Sequence, residues 1–181
     1  MTREQAYNLV RPRFSNKNLF KHVLAVEAVM RELALFLKED VEKWGLVGLL
    51  HDLDYEETMN TPERHTLVTA EILRDFDLSD EIIHAIKAHN NLAPLDSLLD
   101  QAFYAADPVT GLIVAATLMH PDKKLASVDA EFVLRRFKEK SFARGANREQ
   151  IKSCENFGLS LEVFTTIAIT GMRKISKELG L

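Results

Sequence analysis

The stretch GLLHDLDYEE, residues 48–57, places His51 beside Asp52 directly after an almost wholly apolar segment. Burying an ionised carboxylate without a partner costs several kcal/mol or more, so such a group is normally paired, hydrogen-bonded or bound to a metal. The rest of the chain must therefore supply the partners that this aspartate meets inside the fold.

Apolar residues recur at helical spacing through nearly the whole chain, and no run alternates as a strand would. Residues 17–38 form one apolar stripe, whereas residues 41–52 are apolar almost all round, which predicts a central helix. Further helices are predicted over residues 62–76, 78–90, 95–106, 108–119, 128–138, 147–155 and 160–179. Because no repeat or linker divides the chain, the sequence predicts a single compact all-α bundle over residues 1–181.

The composition, with 46% hydrophobic and 28% charged residues, is that of an ordinary soluble globular protein. Unbroken apolar runs such as LIVAA, residues 112–116, are too short to span a bilayer. The first residues contain no apolar signal core, and the single Cys154 excludes an internal disulfide. We therefore expect a cytoplasmic protein that makes no membrane contact.

The charge is unevenly distributed along the chain. The net charge of −4 argues against a general nucleic-acid binder, so no nucleic-acid partner is expected. Residues 123–152 nevertheless carry nine basic and four acidic side chains, a local charge of +5. A solvated helix face is the simpler interpretation of this segment, and a rim that receives the phosphate groups of a substrate is the alternative.

Helical phase sorts the six histidines into two groups. Four of them share a face or an apolar segment with core residues and are expected to point inward: His22, His51, His65 and His89. His84 and His120 lie on a polar helix face and in a loop, where we expect them to be solvated. Asp107 precedes Pro108, so it is expected to leave the helical region and cap the helix that Pro108 begins.

These inward polar residues can be interpreted singly or together. Each histidine taken alone is more simply a core residue whose polar atoms are hydrogen-bonded. Four histidines on separate helices together with Asp52 and Asp107 instead indicate a site for a borderline divalent metal, because such ions accept mixed imidazole and carboxylate ligands.

The order His22, then His51 and Asp52, then Asp107 resembles the H…HD…D signature of the HD-domain metal-dependent phosphohydrolases. The apolar run into HD and the later AADP, residues 105–108, strengthen the resemblance, which covers about residues 16–120. It implies an HD-type helical core there, followed by a C-terminal helical extension over residues 121–181. It also implies that those four residues hold a divalent transition metal: Mn, Fe, Zn, Co or Ni.

Some members of this family hold a second ion, with the aspartate of the HD pair bridging the two. The segments RHTLVTAEIL and IIHAIKAHN resemble those that supply the extra ligands, which implies that His65 and His89 serve here. Two positions depart from related patterns. The HDIG variant has a glycine where this chain has Asp54, and Asn90 stands where cyclic-dinucleotide phosphodiesterases commonly have a second histidine. Those enzymes' GYP motif is also absent, so cleavage of a cyclic dinucleotide is not expected.

The resemblance implies hydrolysis of a phosphate ester or anhydride in a small phosphorylated substrate, expected to be a nucleotide. Asp52 is the expected catalytic residue, orienting or deprotonating the attacking water besides binding metal. Glu56, Glu57 or water is left as the acid for the leaving group. The candidates for binding the remaining phosphate charge are Lys123, Lys124, Lys140, Arg144 and Arg148, near a helix start at Asn147.

Two other functions fit the same residues. The bundle can bind metal and nucleotide without turnover, or it can carry two redox-active irons as an oxygenase. The last helix is expected to pack on the bundle, and a homodimer formed through it is the alternative.

Overall fold

A computed structural model describes residues 1–181 and contains α-helices and short 3-10 turns, without a β-strand. The all-α prediction is therefore confirmed. The helices are α1 Arg3–Val10, α2 Lys17–Leu37, α3 Val41–Leu50, α4 Tyr55–Thr58, α5 Leu67–Leu73, α6 Asp80–His89, α7 Leu98–Met119, α8 Ala130–Phe137, α9 Arg148–Lys152, α10 Leu161–Lys174 and α11 Ser176–Leu179.

Helix α7 lies at the centre, packed against α2, α3, α6, α8, α9 and α10. By length and composition α7 is apolar enough to cross a bilayer, yet 56% of its most apolar window is buried inside the bundle, as expected of a core helix. One apolar core extends from Ala6 in α1 to Leu179 in α11. The boundary between the HD core and the C-terminal extension stays a prediction.

Side-chain caps fix where the central helices begin. Asn16 accepts the backbone N–H of Asn18 at the start of α2, and Asp40 accepts those of Glu42 and Lys43 at the start of α3. These bonds satisfy amides that a helix start otherwise leaves without partners. The cap at Asp40 fixes the start of α3, and His51 lies directly after the end of that helix.

The two helices predicted on either side of Pro108 form a single helix, so the expected cap at Asp107 is wrong. Pro108 lies inside α7 and lacks the N–H of that turn. The helix continues because Val109, Leu112 and Ile113 beyond the proline are buried in the core. Asp107 consequently projects from the middle of the central helix.

The helix predicted over residues 62–76 is broken before its middle. A 3-10 turn over Pro62–Arg64 is followed by Thr66 at φ 71°, and only then does α5 begin. The cause lies in another segment: the Asp54 carboxylate accepts the backbone N–H groups of Thr66 and Thr69 at 2.8 and 2.9 Å. Asp54 therefore caps α5 from a distance in sequence, which helical periodicity could not indicate.

Helices α2 and α3 approach each other closely at Gly48. A Cβ atom at this position would lie 2.8 Å from the backbone nitrogen and Cα of Glu27. Only a glycine fits such a contact without displacing backbone. Because His51 follows Gly48 by one turn and His22 lies on α2, this approach brings the two imidazoles to a ring separation of 5.4 Å.

We expect Gly48→Ala to lower the free energy of unfolding by about 1–3 kcal/mol, because the added methyl group overpacks the contact between α2 and α3. Urea unfolding measures the change. Gly111→Ala is the matched control, since a Cβ atom there meets nothing within 4 Å, and it should be neutral or slightly stabilising. Equal losses in the two variants would contradict the close approach.

Candidate metal centre

Five segments of the chain converge on one polar cluster inside the bundle. His22 comes from α2, while His51 and Asp52 follow the end of α3. The other three residues are His65 before α5, His89 at the last turn of α6 and Asp107 in the middle of α7. All six residues that the sequence suggested as metal ligands therefore lie in this cluster.

The two oxygens of Asp52 face different histidines. Oδ2 lies 3.2 Å from His51 Nε2 and 3.7 Å from His22 Nε2, whereas Oδ1 lies 3.4 Å from His65 Nε2. Asp107 approaches from the other side, with its Oδ1 at 3.0 Å from His22 Nε2 and 3.8 Å from His51 Nε2. Asp52 is thus oriented as a carboxylate that can bridge two neighbouring positions.

The outer nitrogen, Nδ1, is engaged in all four histidines. His51 and His89 donate Nδ1–H to the carbonyl oxygens of Gly48 and Ile86, and the Nδ1 of His65 lies 2.7 Å from the Asp54 carboxylate. The acceptors here are oxygens without a proton, so the histidine must be the donor.

His22 follows the same pattern through a hydroxyl group. Its Nδ1 lies 3.1 Å from Thr110 Oγ1, and that hydroxyl donates its own proton to the carbonyl of Asp107. Thr110 Oγ1 is therefore free to accept from His22. Outer partners of this kind fix the tautomer of metal-binding histidines and point the Nε2 lone pair at the ion.

The Nε2 of His51 provides the test of whether the residues fit a metal. It is fully buried and makes no hydrogen bond, although Asp52 Oδ2 is near. A buried polar atom without a partner costs about 1–3 kcal/mol, so such atoms are rare in native proteins. An ion between the two carboxylates would satisfy this atom, and the donor set of imidazole nitrogens and carboxylate oxygens suits a borderline divalent metal.

The geometry defines two overlapping groups of possible ligands. The first consists of His22, His51 and Asp107, and the second of His51, Asp52 and His89. Within each group the ligand atoms lie no more than 4.8 Å from one another. His65 stands beside the second group through its contact with Asp52.

The electrostatics of the cluster favour ionised carboxylates. Burial alone would raise the pKa of Asp52, but His51 and His22 outweigh it and hold that pKa well below its ordinary value. Burial likewise opposes ionisation of Asp107, while its hydrogen bond with His22 keeps the pKa low. Burial and the nearby His51 lower the pKa of His89 to about 4, so this imidazole is neutral at pH 7 and has a free lone pair.

Two of the histidines hold a proton more tightly. Although burial disfavours the charged ring, the hydrogen bond to Asp107 raises the pKa of His22 above its ordinary value. The hydrogen bond to Asp54 and the charge of Asp52 do the same for His65, again against burial. A metal must displace these protons, so its binding releases protons to solvent.

The cluster is closed on one side and open on the other. His51 is wholly buried, and the Phe103 ring packs edge-on against it at 5.3 Å. The side chains of His22 and Asp107 are 26% and 24% exposed. A cavity of about 430 Å³ adjoins His22, lined in part by Asn18, Lys21 and Gly111. His22 is the one residue of the cluster that lines it.

The basic candidates do not gather at this opening. Lys123 and Lys124 follow the far end of α7, about 18 Å along the helix axis from Asp107 at 1.5 Å per residue. Lys140 and Arg144 are exposed, and none of these four side chains bonds to the cluster. Their role in binding phosphate stays a prediction.

Arg148 has another role, so its assignment to phosphate is wrong. Its guanidinium donates to five backbone carbonyl oxygens, those of Phe137, Glu139, Phe142, Ala143 and Ala146. These bonds use all five donors and tie down the loop before α9. The expected anion site at Asn147 is also occupied, because the Asn147 side chain itself accepts the N–H groups of Glu149 and Gln150.

Sequence reasoning missed two residues that hold the ligands. In the sequence Asp54 stands out only as a departure from the HDIG variant, and no pattern there points to Thr110. The signal for Asp54 was a second carboxylate two residues after Asp52 in an apolar segment. His84 and His120 lie outside the cluster as expected, but neither is fully solvated, since their side chains are 37% and 20% exposed. His84 contacts the buried Asp100 at 3.2 Å.

A helical bundle that gathers four imidazoles and two carboxylates at one buried centre belongs to the class of proteins with a histidine–aspartate metal site. The model of the HD domain family matches residues 19–120, which contain the whole cluster. The chain therefore belongs to the HD-domain family, and this membership supports a hydrolase at the level of the family.

The chain is also similar to curated proteins named ribonuclease Y. It is 34% identical over 96 residues to that of Nitratidesulfovibrio vulgaris, covering 53% of this chain and 18% of the relative. Over 138 residues it is 30% identical to that of Desulfotalea psychrophila, covering 74% of this chain and 26% of the relative. The chain thus spans about a fifth to a quarter of these proteins. No solved structure is significantly similar to it.

Divalent metal should raise the melting temperature of the protein. A ligand at one hundred times its dissociation constant stabilises the folded state by about 2.7 kcal/mol, which is roughly 5–10 °C for a chain of this size. Thermal melts with Mn²⁺, Fe²⁺, Co²⁺, Ni²⁺ and Zn²⁺ measure the shift, and plasma mass spectrometry of protein purified without chelators or a histidine tag measures the metal content. His51→Ala should lose the shift and His84→Ala should keep it. A folded, metal-free protein that responds to none of these ions would contradict the metal centre.

Proposed function

We propose that the chain hydrolyses a phosphate ester or anhydride of a nucleotide at a metal centre of one or two ions. The observation that carries this proposal is Asp52, whose two oxygens face different histidines beside the orphaned Nε2 of His51. Buried carboxylates and imidazoles in this arrangement suit a hydrolytic metal site better than polar packing.

The residues divide between the two positions. His22, His51, Asp52 and Asp107 would hold the first ion, and His65 and His89 would add a second, with Asp52 shared. Such ions lower the pKa of water and polarise phosphoryl oxygens. Within the chain, Asp52 orients the attacking water, because its carboxylate lies at the centre of the cluster and is ionised.

The leaving group has no dedicated acid in the described structure. Glu56 accepts hydrogen bonds from the Ser15 hydroxyl and from the backbone N–H groups of Ser15 and Asn16, which hold its pKa below the ordinary value. Glu56 is therefore an ionised acceptor. Glu57 is exposed to solvent. Because neither glutamate is assigned as the acid, water is the proposed proton donor.

The cavity beside His22 suits the organic part of the substrate. Its wall is largely apolar, with the amide of Asn18 and the ammonium of Lys21 among its polar groups. Its volume of about 430 Å³ lies within the range of small-molecule sites. A nucleoside moiety placed here would lie beside His22, the one residue of the cluster that lines the cavity.

RNA is the second candidate substrate. The relatives named ribonuclease Y favour it, and the expectation that the chain has no nucleic-acid partner gains no support from them. The chain matches only a minor part of those proteins. RNA cleavage and nucleotide hydrolysis therefore have to be compared directly on the isolated chain.

With Mn²⁺ or Co²⁺ added, the purified chain should release phosphate or nucleoside from a panel of nucleoside phosphates, and Asp52→Ala should reduce hydrolysis to background. A single-stranded oligoribonucleotide assayed in parallel separates the two substrates. Tight nucleotide binding without any turnover would instead indicate a binding module. Oxygen uptake that depends on iron would indicate the oxygenase.

Gly111→Phe should raise the KM for the nucleotide roughly tenfold, about 1.4 kcal/mol of binding, because the ring would fill the cavity beside His22. Metal content should not change, since Gly111 is not a ligand. Gly111→Ala adds one carbon into open space and serves as the control for steady-state kinetics. An unchanged KM in the phenylalanine variant would remove this cavity from the substrate site.

A further inference from the structure

We infer that Asp54 is a positioning residue for the second metal position, where it selects the tautomer of His65 in which the Nε2 lone pair faces Asp52. This inference rests on the proposed metal centre and assigns a role to a residue that is not itself a ligand. Three features of the structure carry it: the burial of Asp54, its bonds to three different groups and the backbone conformation beside His65.

Asp54 is buried, with 1% of its surface exposed, and both of its carboxylate oxygens have partners. Its Oδ1 lies 2.7 Å from His65 Nδ1, and its Oδ2 accepts the backbone N–H groups of Thr66 and Thr69. One oxygen therefore serves the histidine and the other serves the start of α5.

The segment that carries His65 needs these contacts in order to keep its shape. Thr66 has a positive φ of 71°, a conformation that costs a β-branched residue of order 1–3 kcal/mol. Asp54 holds the segment from one side, and from the other side the Asn90 side chain donates to the carbonyl oxygen of His65 at 3.2 Å. The position taken by a second histidine in related phosphodiesterases is thus used here to hold the His65 segment.

The charge of Asp54 then determines which nitrogen of His65 is available. An ionised carboxylate can only accept, so it requires a proton on Nδ1 and leaves Nε2 unprotonated in the neutral ring. Nε2 lies 3.4 Å from Asp52 Oδ1. Other carboxylates that hold metal-binding histidines in this way typically contribute a factor of 10–100 in metal affinity.

Asp54→Asn separates this role from the structural one. The amide oxygen can still accept the N–H groups of Thr66 and Thr69, which retains the cap of α5. The amide NH₂ group then faces His65 Nδ1 and donates to it, which favours a proton on Nε2 and obstructs the metal. The variant keeps the size and the cap of Asp54 but reverses the tautomer of its neighbour.

Asp100→Asn is a matched control within the same chain. Asp100 is also buried, also contacts a histidine Nδ1, that of His84, and also takes part in the cap of a helix, through Ser97 at the start of α7. Neither Asp100 nor His84 belongs to the metal cluster. A general effect of replacing a buried aspartate by asparagine will therefore appear in both variants, whereas an effect on the second metal position will appear only at Asp54.

The experiment combines Mn²⁺ titration, followed by electron paramagnetic resonance, with nitrogen NMR of the histidine rings in metal-free protein at pH 9. In the wild type we expect two Mn²⁺ ions, a coupled signal and a His65 ring protonated at Nδ1. In Asp54→Asn the first ion should remain, the second should bind 10–100-fold more weakly, and the ring should carry its proton on Nε2. Asp100→Asn should behave like the wild type.

Each outcome separates this inference from the proposed function. Equal affinity for the second ion in Asp54→Asn and the wild type would overturn the role of Asp54 and leave the metal centre standing. A wild type that takes up no metal overturns the metal centre, and with it the inference, even though the ring spectrum still reports the tautomer. If Asp54→Asn does not fold, the wild-type spectrum decides alone: a His65 ring protonated at Nε2 would overturn the inference.

Discussion

The burial of the Asp52 carboxylate is the constraint on which the rest of the structure depends. An ionised group in the interior needs opposite charge or donors close by, and four helices and one turn each bring an imidazole or a second carboxylate to it. The histidines are in turn held through Nδ1 by backbone carbonyls, a threonine and Asp54. Polar groups at the centre thus specify how α2, α3, α6 and α7 must meet.

The close packing of helices gives this polar centre its precision. Gly48 lets α3 rest against the backbone of α2 at Glu27, and Gly171 lets α10 approach the carbonyl oxygen of Ala28 on the same helix. Near that contact, Glu27 is buried and paired with Arg3 and Arg31. Helix α2 is therefore fixed from several directions, and the position of His22 follows from it.

Local periodicity was sufficient to predict most of the helices and the inward histidines, since both depend on which face of a helix is apolar. It did not indicate α1 or the interruption between α10 and α11. Periodicity was insufficient wherever a group that is distant in sequence determines the local structure. The break before α5 depends on Asp54, and the continuity of α7 through Pro108 depends on burial. The hydrogen bonds of Arg148 to backbone carbonyl oxygens depend on how the loop before α9 folds. Likewise, charge along a sequence indicates candidates for binding phosphate but does not locate their side chains. Lys123 and Lys124 follow a helix end about 18 Å from Asp107.

The metal cluster alone does not identify the substrate. The cluster lies wholly within residues 19–120, which match the HD domain model, and that match specifies no substrate. Selection must come from what borders the open side of the cluster. The cavity beside His22 is walled partly by Asn18 and by Leu179 of α11, and Lys21 donates to the Leu179 carbonyl oxygen at 2.7 Å. A substrate bound in this cavity, as proposed above, would therefore be selected by side chains of α2 and α11 in addition to the metal cluster.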